Sequence, residues 1–268
     1  MKDIYTEIVN ALEVKEQLAL ATIINRVGSA PREAGAKYLV KKDGTSIGSI
    51  GGGCVEADVW QEARKTMEKG EGKVLHFNLT SEQLAEGGLI CGGNIDIFLE
   101  PIMEDSLNIY REVIKARQQG ETGILATVIS VDGVFPKMEG VKEFIKASGE
   151  KTGSLFWGKD LEERILGEAE RVLKERKPAV LVVSSEEAGH PWKKLEVLLE
   201  PVCSEPTVYI FGAGHISQQL VPFAKKVHFK VVVIDDREMF ANRDCFPEAD
   251  EVIVSEFERS FDQLTIDD

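Results

Sequence analysis

No apolar run in this 268-residue sequence approaches a membrane span, and the opening Met1-Lys2-Asp3-Ile4-Tyr5 does not read as a signal peptide. Basic residues are in the minority. The 32 Lys and Arg stand against 46 Asp and Glu, a formal net charge of −14, which argues against a nucleic-acid or anionic-membrane surface. Cysteine is scarce: four in a chain of this length make no disulfide scaffold, and none stands in the CxxC or CxxH spacing of a structural metal site. These absences leave a reduced, cytoplasmic, globular protein in which a cysteine is free to be a nucleophile or a metal ligand. Its length allows two or three modest domains.

Glycine, by contrast, is concentrated. Gly48-Ser49-Ile50-Gly51-Gly52-Gly53-Cys54-Val55-Glu56 carries an apolar strand pattern into three consecutive glycines, then a cysteine, then a helical pattern. Glycine lets the backbone turn sharply and lets a ligand approach its N–H groups. A helix start adds unpaired N–H groups and favours a thiolate over a thiol. The stretch therefore reads as a reactive sulfur, Cys54, beside an anion-binding nest of Gly51, Gly52 and Gly53. It also fits a glycine turn with a small buried cysteine.

Along the chain, residues 3–15 read as an amphipathic helix and Leu18 to Ile24 as a strand, followed by the loop Gly28-Ser29-Ala30-Pro31-Arg32. Lys37 to Lys42 and Ser46 to Ile50 form a hairpin about Asp43-Gly44, and Val55 to Lys69 a helix ended by Gly70. Strands follow at Lys73 to Leu79 and Ile95 to Leu99, with Cys91-Gly92-Gly93 in the loop between them. The chain then repeats itself. Leu20-Ala21-Thr22 matches Leu125-Ala126-Thr127, and at this offset of 105 Gly28, Pro31, Gly35, Gly44 and Gly48-Ser49 meet Gly133, Pro136, Gly140, Gly149 and Gly153-Ser154. Leu99-Glu100-Pro101 returns as Leu199-Glu200-Pro201. The simplest account is two degenerate copies of one α/β unit, about 18–102 and 122–202.

The copies differ where chemistry is suspected. Gly51-Gly52-Gly53-Cys54 becomes Phe156-Trp157-Gly158-Lys159, and the Cys91 loop has no counterpart of similar chemistry. A scaffold role would be kept in both copies, so motifs kept in one only point to a site. Cys54 and Cys91 are accordingly expected to face one pocket with Arg32 at its rim, and Cys203 and Cys245 to lie outside it. Arg32 reads equally as a solvated loop charge, Glu56 as a first-turn acid of the helix, and His76, in an apolar strand, as structural.

From Pro206 the pattern changes. A strand from Thr207 to Phe211 runs into Gly212-Ala213-Gly214-His215, a helix with Pro222 in its middle, and a strand from Lys230 ending at Asp235. This fits the dinucleotide fingerprint, with pyrophosphate at the helix start near Gly212, Gly214 and His215, and Asp235 on a ribose. Ser217 in place of the third glycine loosens the match. Pro222 predicts a kink. A third strand, Glu251 to Val254, leaves one half of a dinucleotide-binding sheet, whose edge is expected to be covered by another subunit or by the repeat domain. The expected fold class is α/β: a domain of two repeats over 1–203, then an incomplete Rossmann-like domain over 204–268.

Several of these residues together resemble the xanthine dehydrogenase accessory proteins, the XdhC/CoxI family: Gly28-Ser29-Ala30-Pro31-Arg32, Gly35-Ala36, Ile50 to Glu56, Cys91-Gly92-Gly93, Phe211 to Ile216, Asp235-Asp236-Arg237 and Phe246 to Asp250. The resemblance covers nearly the whole chain; Tyr38 stands where the family more usually has Met, and the nucleotide domain looks incomplete. It implies a factor that holds molybdenum cofactor (molybdopterin), supports its sulfuration with a cysteine desulfurase, and inserts it into a xanthine dehydrogenase-type molybdenum hydroxylase. On chemical grounds the soft thiolate of Cys54 suits molybdenum as ligand or sulfur donor, and Arg32 with the N–H groups of Gly51, Gly52, Gly53, Gly92 and Gly93 suits phosphate and oxo groups. A homodimer, with no nucleic acid or membrane partner, completes this reading of a cofactor-binding chaperone rather than a turnover enzyme. The alternative is an NAD(P)-dependent oxidoreductase using the Gly212 turn and Asp235.

Overall fold

The computed structural model describes residues 3–79, 92–136, 140–155, 159–184, 192–204, 206–227 and 229–264. The chain divides into two compact units, Lys2–Ser204 and Glu205–Asp268.

The larger unit holds helix α1 (Ile4–Glu13), strands β1 (Leu18–Val27), β2 (Lys37–Lys41) and β3 (Ser46–Gly48), helix α2 (Gly53–Lys69), and strands β4 (Lys73–Asn78) and β5 (Asn94–Ile102). A second series follows: α3 (Leu107–Gln118), β6 (Gly123–Val131), β7 (Val141–Lys146), β8 (Lys151–Leu155), α4 (Lys159–Glu175), β9 (Ala179–Ser184) and β10 (Lys194–Val202). The sheets have the same order, β3-β2-β1-β5-β4 and β8-β7-β6-β10-β9, and every pairing in them is antiparallel. The α/β class and the duplicated unit are those expected, and the correspondence reaches further back than Leu20. Ile4, Tyr5 and Ala11 of α1 stand 105 residues before Ile109, Tyr110 and Ala116 of α3, and the rings of Tyr5 and Tyr110 stack with centroids 6.0 Å apart.

Strand alternation sorts each sheet into two faces. Ala19, Ala21, Ile23, Ile95, Ile97 and Leu99 pack under α2 with Val55, Val59 and Ala63. Ile124, Ala126, Val128, Val197 and Leu199 pack under α4 in the same way. The opposite faces meet each other: Leu20 and Leu39 share a cluster with Leu125 and Phe144, and Ile24 and Phe98 with Ile129 and Leu198. The unit is therefore a stack of helix, sheet, sheet and helix, with α1 and α3 packed into the inner cluster that Leu20, Leu39, Leu125 and Phe144 share.

Between the sheets the repeats exchange charges. Lys37 of the first donates to Glu200 of the second, and Lys142 of the second donates to Glu100 of the first at 2.9 Å. Each lysine also donates to a threonine of its own repeat, Thr22 at 3.1 Å and Thr127 at 2.8 Å. Burial works to lower Lys37, and the neighbouring Glu200 carboxylate outweighs it and raises the amine; burial pushes Glu100 up against the pull of Lys142.

The smaller unit has β11 (Thr207–Phe211), α5 (His215–Lys226), β12 (Lys230–Asp235), β13 (Glu251–Val254) and the short α6 (Phe257–Ser260). Its sheet is parallel, in the order β11-β12-β13. Val254 does end an edge strand, but β11 is the other edge, and in a doubly wound sheet further strands add beside the first strand rather than the third. Helix α5 runs from His215 to Lys226 with Pro222 inside it.

Candidate functional site

The glycine stretch lies where β3 leaves the sheet and α2 begins. Gly48 is required there: a Cβ at its φ of +89° would stand 2.3 Å from the carbonyl oxygen of Lys37. Gly51, Gly52 and Gly53 follow with φ of 129°, 78° and 63°, a run of left-handed conformations that side chains resist. The helix starts at Gly53, two residues before the expected Val55, because the third glycine already belongs to its first turn.

The turn is closed by Glu56. One of its oxygens accepts from the hydroxyl of Ser49 at 2.7 Å, the N–H of Ile50 at 3.0 Å and the N–H of Gly52 at 2.9 Å, while the N–H of Gly51 lies 3.3 Å from the Ser49 hydroxyl. Burial alone would raise the Glu56 carboxyl; these hydrogen bonds outweigh it and hold the group below its ordinary range. The nest expected to take a ligand's anion thus already holds one of the chain's own. The Gly51 and Gly52 N–H groups are engaged, and an external anion is left the N–H groups of Gly53 and Cys54, which the N-cap Gly52, lacking a side chain, does not cap.

Cys54 is the second residue of α2 and is exposed. The alternative of a small buried cysteine is not the arrangement formed. Arg32 is exposed as well, and among the described residues it has no ion-pair or hydrogen-bond partner. The loop carrying it joins the other motifs. Gly51 lies against the Pro31 ring, with a Cβ built on it 3.3 Å away. At the other end of that loop, a Cβ on Gly28 would meet Gly93 at 3.1 Å, and one on Gly93 would stand 2.4 Å from the carbonyl oxygen of Ser29. Gly51 and the Gly92-Gly93 pair therefore touch opposite ends of one short loop. Cys91 lies outside the described residues, and so does the expectation that it shares a pocket with Cys54. Cys203 is half-buried, and burial pushes its thiol up; Cys245 packs against the apolar core of the smaller unit. Among the described residues no three His, Cys, Asp or Glu side chains cluster to hold a metal ion.

In the smaller unit Gly212 turns with φ of 102°, its N–H donating to the Ile234 carbonyl at 2.7 Å and its carbonyl accepting from the Ser217 hydroxyl at 2.5 Å. Ser217, the residue in place of the third glycine, therefore braces the turn. Gly214 caps α5, and His215 is its first residue and exposed. Asp235 departs from the fingerprint. It is fully buried; one oxygen accepts from the N–H and Nε of Arg237 at 3.0 and 2.8 Å, the other from the Ala213 N–H at 2.7 Å and Arg237 Nη2 at 2.9 Å. All four acceptor positions are filled, so this carboxylate is closed to a ribose. The Arg237 guanidinium holds it well below the carboxylate range.

A profile of the XdhC and CoxI family matches residues 11–78 and 116–184, one stretch in each repeat, and a profile of the XdhC Rossmann domain matches residues 208–267. The chain is 28% identical to a Bacillus subtilis protein named as a probable xanthine dehydrogenase component, over 95% of its own length and 70% of that protein. Over 35% of its length it is 33% identical to the molybdenum cofactor insertion chaperone PaoD of Escherichia coli, covering 29% of that chain. A crystal structure described as a xanthine dehydrogenase from Bacillus halodurans superposes with a TM-score of 0.71 at 26% identity, over 98% of this chain and 71% of the other.

Proposed function

The chain belongs to the XdhC and CoxI family, and we propose that it serves the maturation of molybdenum cofactor: it binds the cofactor, supports its sulfuration with a cysteine desulfurase, and inserts it into a xanthine dehydrogenase-type molybdenum hydroxylase. The observation that carries this reading is Cys54, an exposed thiol at the start of α2, directly after a glycine turn that Glu56 ties down and that packs, through Gly51, on Pro31 of the Gly28–Arg32 loop. A relative named as a molybdenum cofactor insertion chaperone supports it.

In this reading molybdenum cofactor is cargo. Its molybdenum is soft enough to accept a thiolate, which gives Cys54 its role as ligand or sulfur relay. Arg32 offers a bidentate donor fork to phosphate or oxo groups, and the N–H groups of Gly53 and Cys54 add the positive end of α2. Glu56 does not touch the cargo. Its part is to hold the turn from which Cys54 projects, and its negative charge on the Ile50 and Gly52 N–H groups keeps a second anion from settling deeper in the nest. The second repeat has Lys159 at the matching position and no thiol, so one cofactor is expected per chain. Purifying the protein from cells that make the cofactor, then measuring bound molybdenum and pterin, tests the reading. Neither found above the level of an unrelated protein would overturn it.

A further inference from the structure

A cleft of about 570 Å³ opens between the two sheets, away from the charges the repeats exchange. Its floor is apolar and drawn from both repeats: Ile24 and Val74 from one, Ile129 and Val180 from the other. Both isoleucines are the extra residues of β-bulges, Ile24 where β1 shifts register between Ile23 and Asn25, Ile129 where the partner strand β10 shifts between Glu196 and Val197. Bulges of this kind re-aim neighbouring side chains. Here they set a carboxylate with a donor beside it on each wall. Asn25 donates to Asp96 at 2.8 Å, and Ser130 donates to Glu196 at 2.6 Å.

The walls then diverge. On the first, His76 Nδ1 meets the other Asp96 oxygen at 2.6 Å; in the second repeat Val182 stands opposite Glu196 as His76 stands opposite Asp96, and Glu196 pairs instead with Lys194 at 2.6 Å. His76 is 75% exposed in its side chain, so it is not the structural residue that its apolar strand suggested. Among the described residues Asp96 has one donor on each oxygen, which leaves one further acceptor position on each. An ionised carboxylate with one open position per oxygen suits a pair of parallel N–H donors, and burial, which would raise Asp96, is outweighed by its bonds to Asn25 and His76. A bare cation is a poorer match, because no three ligating side chains come together among the described residues.

We infer that this cleft binds a flat bicyclic heterocycle through a 2-amino-4-oxo edge, the amino and ring N–H groups on Asp96 and the ring face on the partly exposed Val74 and Val180, which the buried Ile24 and Ile129 back. Pterins and guanine share this edge. For a pterin the inference rests on the cofactor reading above, since the ring would then be that of the cargo; for guanine it does not.

Calorimetry on the full chain with pterin, guanosine and lumazine tests it, lumazine being a pteridine with an oxo group in place of the 2-amino group. Pterin, guanosine or both should bind, and pterin at least about tenfold tighter than lumazine if the pterin is the ligand, the size of one lost charge-assisted hydrogen bond. Guanosine alone binding would assign the cleft to guanine. Asp96→Asn should bring the preferred ligand down to the lumazine level, and Cys54→Ser should leave it unchanged. Equal binding of all three, or none of them binding, overturns the assignment in the unmutated protein, whatever Asp96→Asn does to folding. Molybdenum retained by a chain that binds no pterin or guanosine would sink this cleft and leave the cofactor reading standing.

Discussion

Glu56 reaches back four residues to take the N–H of Gly52 at 2.9 Å, so the acid that follows the cysteine fixes the glycines that precede it. The same oxygen holds Ile50 and Ser49. A turn with three successive glycines has few conformational restraints of its own, and this one carboxylate supplies them.

Glu56→Ala should therefore destabilise the larger unit by about 1–3 kcal/mol, the range for leaving partly buried N–H groups without their acceptor. Glu56→Gln keeps the shape and one oxygen and should lose less. Thermal unfolding of both variants beside the parent checks the order; a Glu56→Ala protein as stable as the parent would remove the carboxylate from this role.

The pH dependence follows from the direction of the shift. The Glu56 carboxyl is held below its ordinary value of 4.5, so its ionised form stabilises the fold above that value and the contribution is lost as pH falls through the folded value. The stability gap between the parent and Glu56→Gln should be steady near neutral pH and narrow below pH 4.5. Denaturant titrations across that window measure it, and a gap that widens in acid has the wrong sign.

Two adjacent glycines should behave differently. A Cβ at Gly93 would overlap the backbone of Ser29 and Val27, at 2.4 and 2.6 Å from their carbonyl oxygens, whereas one at Gly92 meets nothing within 4 Å. Gly93→Ala should cost about 1–3 kcal/mol through forced backbone movement, and Gly92→Ala little. Comparable melting temperatures for the two would mean that the loops do not pack as described.

The exchanged charges between the repeats give a further expectation. Removing Glu200 alone leaves Lys37 buried without its partner and should cost about 3–5 kcal/mol, while Lys37→Met with Glu200→Leu should recover most of that loss. A double-mutant cycle reads the coupling. The matching pair, Lys142 and Glu100, should respond alike.

Much of this fold was legible in the sequence, because duplication leaves a signal that one chain contains: glycines and prolines recurring at a fixed offset mark the same turns twice. The pairing of Lys37 with Glu200 was not legible. It depends on which faces of two sheets meet, and no local pattern encodes that. Glu56 reads correctly as an acid in the first turn of a helix, but its reach to Gly52 depends on three positive φ values in a row. Asp235 stands at the spacing of a ribose-binding acid, and that spacing is the same whether the carboxylate is open or closed by Arg237 two residues on. His76 misleads for a related reason: β4 is an edge strand with partly exposed residues, so an apolar surrounding sequence does not mean burial.

Whether Cys54 holds the cargo is read most directly from molybdenum per chain in the parent and in Cys54→Ser, purified side by side from cofactor-producing cells. The exchange keeps the size of the side chain and replaces a soft ligand by a hard one. The parent should carry molybdenum and Cys54→Ser should have lost most of it with its fold intact. Equal occupancy in the two proteins would contradict the account.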